Sequence, residues 1–143
     1  MRQSRISDCK IIALPKVQTE SGDITSINNN LNIPFDTKRV YYLYDVPNRA
    51  DRGGHAHKEL FQLVVAISGS FNIELFDGIR TVKYTLNNPD QGLLIIPGIW
   101  RELSSFSGGC ICLVLASHIY NEGDYLRDFK EYLRWKKNID FHD

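Results

Sequence analysis

The amino-acid sequence predicts an all-β fold, an antiparallel sandwich or barrel, with a single helix at its C-terminal end. Turn-forming pairs such as Asp77-Gly78 and Gly108-Gly109 recur about every eight to twelve residues. The segments between them are short and rich in β-branched and aromatic residues, which favours strands. Only residues 123–138 bring apolar side chains together at helical spacing. Short strands at regular intervals are typical of sandwiches and barrels.

Five segments carry the strand pattern most clearly. In "SFNIELFDG" (70–78), apolar and polar residues alternate, and the segment ends on a hairpin dipeptide. "GLLIIPG" reads as a strand that ends at Pro97, because proline lacks the amide proton that a sheet needs. The other three segments are continuous apolar runs: "RVYYLYDV" (39–46), "QLVVAISG" (62–69) and "CICLVLAS" (110–117).

The last segment, "GDYLRDFKEYLRWKKN" (123–138), is predicted to be an α-helix. Leu126 and Phe129 fall at helical spacing and would belong to its apolar face. Asp124 is a suitable N-cap, since its carboxylate can accept from the first amide groups of a helix. Lys136-Lys137 suits the C-terminal end of the helix dipole, and the lysines of this helix are expected to face solvent.

The size and charge of the chain narrow the classes of function. Its 143 residues suit one domain spanning 1–143. Seventeen basic and seventeen acidic residues cancel, so no overall field favours nucleic acid or an anionic membrane. No stretch approaches a membrane span, and the apolar run 11–14 is too short for a signal peptide. We therefore expect a cytoplasmic protein with no nucleic-acid partner and no membrane partner.

The three cysteines are an odd number in a chain expected to be cytoplasmic, which favours reduced thiols. Cys110 and Cys112 alternate within an apolar run and would share one face of a strand. We expect them to be buried in the core. A metal-binding pair is the alternative, although zinc sites usually space their cysteines more widely.

The segment "RGGHAHKELFQLVVAISG" (52–69) places two histidines one residue apart in the middle of the chain. On a strand, His55 and His57 would point to the same side, and in a barrel that side is the interior, where ligands bind. Two imidazoles there could hold a metal, transfer a proton or have only a structural role.

The spacing around these histidines resembles the first cupin motif, in which a glutamate and then a glycine follow the histidine pair. Gln62 stands where the glutamate is expected, and Gly69 where the glycine is. "GLLIIPGIWREL" resembles the second cupin motif, except that Arg101 replaces its histidine. Metal-binding cupins use three histidines and the glutamate, and neither an amide nor a guanidinium is a good substitute. We therefore predict a cupin-type jelly-roll pocket with no metal, in which Arg101 holds negative charge.

Four motifs in order resemble the nucleotide-sugar 3,4-ketoisomerases: "KRVYYLYDV", "RGGHAHKELFQ", "IPGIWREL" and "YNEGDYLRDF", within a match from Lys10 to Trp135. The resemblance implies an enzyme that moves the keto group of dTDP-4-keto-6-deoxyglucose from C4 to C3 through an enediol, without metal or organic cofactor. It implies a homodimer with exchanged N-terminal strands. The product would feed synthesis of a 3-amino-3,6-dideoxy sugar for a surface polysaccharide or a natural product. A non-catalytic sugar-binding cupin and a metal-dependent cupin oxygenase are the alternatives.

The resemblance also implies roles for particular residues. The two histidines of the family correspond to His57, expected to be the base at C3, and to His55, expected to be its partner in proton transfer. Arg52 is expected to contact the pyrophosphate. Arg39 and Tyr41, two apart on a strand, are expected near the sugar.

Two further positions leave alternatives open. Trp100 is expected either to pack in the core or to contact the thymine base. Arg101 stands where the family carries histidine or arginine, which favours the gluco configuration at C4 of the product. Ser21 stands where relatives often carry a larger polar residue, so the sequence leaves that configuration undecided.

Overall fold

The structure, a computed structural model, describes residues 4–142 and consists mainly of strands. Within these residues the chain forms twelve strands and one α-helix: β1 Lys10–Ala13, β2 Val17–Thr19, β3 Gly22–Ile24, β4 Arg39–Leu43, β5 Arg52–His57, β6 Gln62–Ser68, β7 Phe71–Phe76, β8 Thr81–Leu86, β9 Gln91–Ile95, β10 Trp100–Ser104, β11 Ile111–Ala116, β12 Tyr125–Leu126 and α1 Phe129–His142.

Two five-stranded antiparallel sheets form the body of the fold. Their strand orders are β1-β9-β6-β11-β4 and β12-β5-β10-β7-β8, and β2 pairs with β3 as a separate hairpin. Apolar side chains from both sheets meet in one core, among them Val64 of β6, Ile73 of β7 and Val114 of β11. The predicted all-β antiparallel fold with one C-terminal helix is therefore confirmed.

The alternation predicted for β7 is also confirmed. Its apolar residues Phe71, Ile73 and Leu75 are fully buried, because period-2 geometry turns all three towards the core. The chain passes from β7 to β8 at Gly78, which has a φ of 101° that favours glycine. The hairpin dipeptide in the sequence thus marks the observed turn.

The C-terminal helix begins at Phe129, later than the sequence predicts. The amide of Glu131 donates to the carboxylate of Asp128 at 2.9 Å, so Asp128 is the N-cap and the prediction of Asp124 was wrong. The physical reason is that Tyr125–Leu126 pairs with β5, and backbone committed to a sheet cannot also be helical. No helix within residues 4–142 is long and apolar enough to cross a membrane.

Helix α1 packs on the second sheet through Tyr132, which is fully buried. The Tyr132 hydroxyl lies 2.9 Å from the carbonyl oxygen of Gly98 and 3.1 Å from that of Phe76. Lys136 lies one turn further along the same face and is also buried, and its ammonium donates to the Ser4 carbonyl at 2.7 Å. The expectation that the helix lysines face solvent was therefore wrong for Lys136.

Cys9, Cys110 and Cys112 are all buried free thiols, and they belong to the core between the sheets. Burial raises the pKa of the Cys112 thiol to about 12, so it stays protonated at neutral pH. The prediction that Cys110 and Cys112 are core residues is confirmed.

Candidate active site

A cavity of about 340 Å³ opens between the two sheets. Its floor includes the apolar residues Val64, Ile73 and Val114 and the buried Arg101. Its polar wall comes from both sheets and from the segment that precedes α1: Arg39, Tyr41, Arg52, His55, Gln62, Tyr120, Tyr125 and Arg127. A concave, partly apolar pocket with several converging polar groups is the expected form of a small-molecule site.

The two histidines of β5 lie together, as their spacing predicts, but only His55 lines this cavity. His57 is 1% exposed and lies directly behind His55. The Nε2 atoms of the two rings are 3.1 Å apart, and the rings meet edge to face. Tyr125 contacts both rings, with centroid distances of 5.2 Å to His55 and 4.4 Å to His57. The pair therefore reaches from the cavity wall into the protein interior.

Asp124 lies on the far side of His57, and the sequence analysis missed it as a site residue. Its Oδ2 is 3.0 Å from Nδ1 of His57, and its Oδ1 accepts the backbone amide of Glu59 at 2.7 Å. The only sequence signal was an acidic residue in a glycine-containing turn, which is equally typical of a helix cap. The structure shows that this carboxylate contacts the buried imidazole instead.

The environment of His57 favours its neutral form. Burial is the main cause that lowers its pKa, and the positive charges of Arg101 and of a protonated His55 lower it further. His57 is therefore uncharged near pH 7, and a neutral imidazole has one donor nitrogen and one acceptor nitrogen. Such a ring can both accept a proton from one side and donate one to the other.

Arg101 and Gln62 stand at the two positions where metal-binding cupins have ligands, and here they bond to each other. The Nη1 atom of Arg101 donates to the amide oxygen of Gln62, and its Nη2 donates to the carbonyl of Ile99 at 3.2 Å. The Nε atom of Arg101 is buried and has no hydrogen-bond partner among the described residues. The donor set thus carries a cation where a metal would lie, which does not fit a metal site.

The described residues include no group of three or more His, Cys, Asp or Glu side chains placed to hold a metal ion. Gln62 instead continues a polar chain along the wall, since its amide donates to the hydroxyl of Tyr41 at 3.0 Å. Burial raises the pKa of the Tyr41 phenol, which therefore stays protonated at neutral pH.

Four arginines give the cavity a positive potential that extends from its floor to its rim. Arg101 is 2% exposed at the floor, Arg39 is half-buried, and Arg52 and Arg127 are exposed. The guanidinium of Arg127 lies 4.0 Å from the centroid of the Tyr125 ring. None of the lining residues, which all belong to the described part of the chain, is acidic. This arrangement suits an elongated ligand that carries several negative charges.

The structure places most of the residues that the sequence singled out in or beside this cavity. Arg39, Tyr41, Arg52, His55 and Arg101 line it. His57 does not line the cavity but contacts His55 from the interior side. Tyr120, Tyr125 and Arg127, which the sequence analysis did not name individually, come from the quoted motif "YNEGDYLRDF".

Trp100 is the exception, because it packs in the core and does not line the cavity. It belongs to a buried cluster with Ala56 and Tyr132, and its ring meets that of Phe129 edge to face at 5.1 Å. Neighbouring residues on a strand face opposite sides, so Trp100 points away from the side that Arg101 occupies. Of the two expectations for Trp100, the structure supports packing and not contact with the base.

Comparison with known proteins shows which enzymes this chain is similar to. The family model described as FdtA, "WxcM-like, C-terminal", matches residues 7–137. A curated relative from Aneurinibacillus thermoaerophilus, TDP-4-oxo-6-deoxy-alpha-D-glucose-3,4-oxoisomerase, is 42% identical over 127 residues, which cover 87% of this chain and 91% of that protein.

Solved structures agree with this match. QdtA, a sugar 3,4-ketoisomerase from Thermoanaerobacterium thermosaccharolyticum in complex with TDP, has a TM-score of 0.91 at 37% identity, over 94% of this chain and 98% of that one. The WlaRB TDP-quinovose 3,4-ketoisomerase from Campylobacter jejuni has a TM-score of 0.87 at 43% identity, over 90% of this chain and 99% of that one. This chain therefore belongs to the FdtA family, and with it to the cupin-type sugar 3,4-ketoisomerases.

Proposed function

We propose that this protein is an isomerase that moves the keto group of dTDP-4-keto-6-deoxyglucose from C4 to C3. The observation that carries the proposal is a histidine pair that reaches inward from the wall of a cavity, where the cavity lining contains four arginines and no acidic residue. The curated relative at 42% identity is named for the same isomerisation. A non-catalytic binding protein is not favoured, because binding a nucleotide sugar does not require a buried imidazole pair.

The isomerisation needs one base and one group that stabilises negative charge. A base removes the proton from C3, next to the C4 carbonyl, and the electron pair forms the C3–C4 double bond while charge moves to the C4 oxygen. The enediol then takes a proton at C4, and loss of the hydroxyl proton at C3 leaves the new ketone there. The reference pKa of imidazole, about 6.5, suits this proton transfer at neutral pH.

We assign the two histidines different positions in this chemistry. His55 lines the cavity, so we propose that it exchanges protons with the sugar. His57 is buried behind it and is proposed to share the proton through the contact of 3.1 Å between the two Nε2 atoms. This order reverses the roles expected from the family resemblance, in which His57 is the base at C3.

The arginines are proposed to divide the negative charge of the substrate between them. Arg101, at the floor, lies where it can stabilise the enediolate. Arg52 and Arg127 are exposed at the rim and suit the diphosphate, since guanidinium groups bind phosphate oxygens in pairs. Arg39 and Tyr41 line the wall between them and are proposed to contact the sugar. We propose no metal and no organic cofactor in this reaction.

A direct test incubates the protein with dTDP-4-keto-6-deoxyglucose in deuterated buffer and follows it by proton NMR. We expect a C3 ketone to appear together with deuterium at C4. Saturable binding of the nucleotide sugar without conversion or exchange would favour the binding protein. The coupling constants of the product also report the configuration at C4, for which Arg101 favours gluco.

We also propose a homodimer with exchanged N-terminal strands. The hairpin β2–β3 is exposed throughout, with Val17 at 57% and Ile24 at 61% exposure. The first sheet adds exposed Val40, Tyr42 and Ile67 on its outer face. Apolar surface of this kind is typical of an interaction site. Light scattering after size-exclusion chromatography measures the mass, and a monomer at micromolar concentration would contradict the proposal.

The proposed product determines the class of reaction that follows. A ketone at C3 is the group that a PLP-dependent aminotransferase needs, and the resulting 3-amino-3,6-dideoxy sugar would serve a surface polysaccharide or a natural product. A cytoplasmic location, the single domain spanning 1–143, and the absence of nucleic-acid and membrane partners stay predictions of the sequence.

A further inference from the structure

We infer that Asp124 is a positioning residue that selects the tautomer of His57 and thereby sets the direction of proton transfer through the histidine pair. This inference rests on the proposed function and extends it to a residue behind the cavity. Asp124 does not line the main cavity, and it acts on the sugar only through His57 and His55.

Both carboxylate oxygens of Asp124 are engaged as acceptors. Oδ1 receives the backbone amide of Glu59 at 2.7 Å, and Oδ2 lies 3.0 Å from Nδ1 of His57. An ionised carboxylate can only accept hydrogen bonds, so Nδ1 of His57 must carry the proton. Because the buried ring is neutral, its Nε2 then carries the lone pair, and this atom faces Nε2 of His55 at 3.1 Å.

The same reasoning continues to His55. Its Nε2 must donate to the lone pair of His57, so the lone pair of a neutral His55 lies on its other ring nitrogen. When that nitrogen takes the C3 proton, the Nε2 proton of His55 can pass to His57. The imidazolium formed at His57 lies against the Asp124 carboxylate, which offsets the burial that otherwise disfavours a charge there. A proton returned along the same path is delivered to C4, and because the ring N–H groups exchange with solvent, it is delivered as deuterium in deuterated buffer.

The backbone of the segment holds the Asp124 carboxylate in place. The carbonyl of Asp124 accepts the amide of Lys58 at 3.0 Å, and its amide donates to the carbonyl of Asn121 at 3.1 Å. The following strand β12 pairs Tyr125 with His57 itself. A group anchored this way meets the requirement that a positioning residue be held by its surroundings.

The substitution Asp124→Asn is a sharp probe because the side chain of asparagine has only one oxygen. The Glu59 amide cannot reverse its direction, so it keeps that oxygen, and the amide NH₂ of asparagine faces Nδ1 of His57. Nδ1 must then be the acceptor, and the proton moves to Nε2 of His57. The equivalent change at the buried aspartate of the serine-protease triad forces the wrong tautomer and lowers kcat about 10⁴-fold. We expect Asp124→Asn to lower kcat about 10²–10⁴-fold, with KM changed less than about threefold.

The experiment reads the tautomer and the kinetics separately. Long-range ¹⁵N–¹H NMR of the histidine rings, in protein without substrate, reports which nitrogen carries the proton. We expect Nδ1–H at His57 in the wild type and Nε2–H in Asp124→Asn. Asp128→Asn is the matched control, since it makes the same change four residues away at the cap of α1, where both residues cap well. It should keep the wild-type tautomer and kcat.

Two results would overturn the inference: Nε2–H at His57 in the wild type, or Asp124→Asn with the wild-type kcat. The first needs no variant, so it decides the matter even if Asp124→Asn does not fold. If the wild type converts no keto-sugar at all, the proposed function fails, while the tautomer measurement still reports on Asp124.

Discussion

Replacing Arg101 with methionine tests whether the buried charge acts on the sugar or on the phosphates. The side chain is 2% exposed and is held by Gln62 and by the carbonyl of Ile99 at 3.2 Å. This position is at the floor of the cavity, whereas Arg52 and Arg127 are exposed at its rim. We therefore expect Arg101→Met to lower kcat with little change in KM, as removal of a transition-state contact does.

The magnitude follows from the number and burial of the contacts. Loss of one preorganised donor to a developing oxyanion lowers kcat about 10²–10³-fold. The variant also leaves the buried acceptors of Gln62 and Ile99 without their donor, at about 1–3 kcal/mol for an unsatisfied group. Removal of the buried cation offsets part of this loss of stability. Burial opposes the charge of Arg101, as the lowering of its pKa by burial shows. We expect a net loss of about 1–2 kcal/mol in the free energy of unfolding.

The assay is proton NMR of keto-sugar conversion, at a temperature at which circular dichroism shows the variant to be folded. Arg134→Met is the matched control, because it removes the same charge from an exposed position on α1 and should leave kcat and KM unchanged. A raised KM with the wild-type kcat would assign Arg101 to phosphate binding. No change in either parameter would refute the reasoning, because Arg101 would then lie outside the site.

Three further perturbations test neighbouring steps. His55→Asn and His57→Asn should each lower kcat about 10²–10⁴-fold and abolish deuterium uptake while dTDP binding persists, and full activity in both would reject an acid–base role. Treatment with a strong chelator should leave kcat unchanged, because Gln62 and Arg101 stand where metal-binding cupins have two of their metal ligands. A loss of activity that iron, manganese or zinc restores would contradict this prediction. Below about pH 6.5, His57 should lower the free energy of unfolding by about 1.4 kcal/mol per pH unit, since burial lowers its folded pKa while the unfolded chain takes up a proton. Urea unfolding measures this slope, and an equal slope in His57→Asn would contradict it.

The strands and the histidine pair could be predicted from sequence because both depend on local geometry. Side chains alternate on a strand whatever its neighbours are, so the pattern of β7 and the spacing of His55 and His57 were sufficient. The arginine in the second cupin motif likewise identified Arg101 as a residue of the cavity. The motif order then indicated the family, which the comparisons confirm.

The sequence by itself determined the fold class, the family and the placement of His55 and His57 as a pair, whereas the tertiary structure decided which groups surround that pair. Asp124 and His57 are 67 residues apart, and no local pattern distinguishes a carboxylate that caps a helix from one that orients an imidazole. The pairing of Tyr125–Leu126 with β5 decided this, because it delayed the helix and brought Asp124 against β5. The role of Trp100 was decided in the same way, because α1 packs on the side of β10 from which Trp100 projects, and only the tertiary structure shows this packing. The physical reason is that alternation and turns act between sequence neighbours, whereas sheet pairing and helix docking join segments that are distant in the chain.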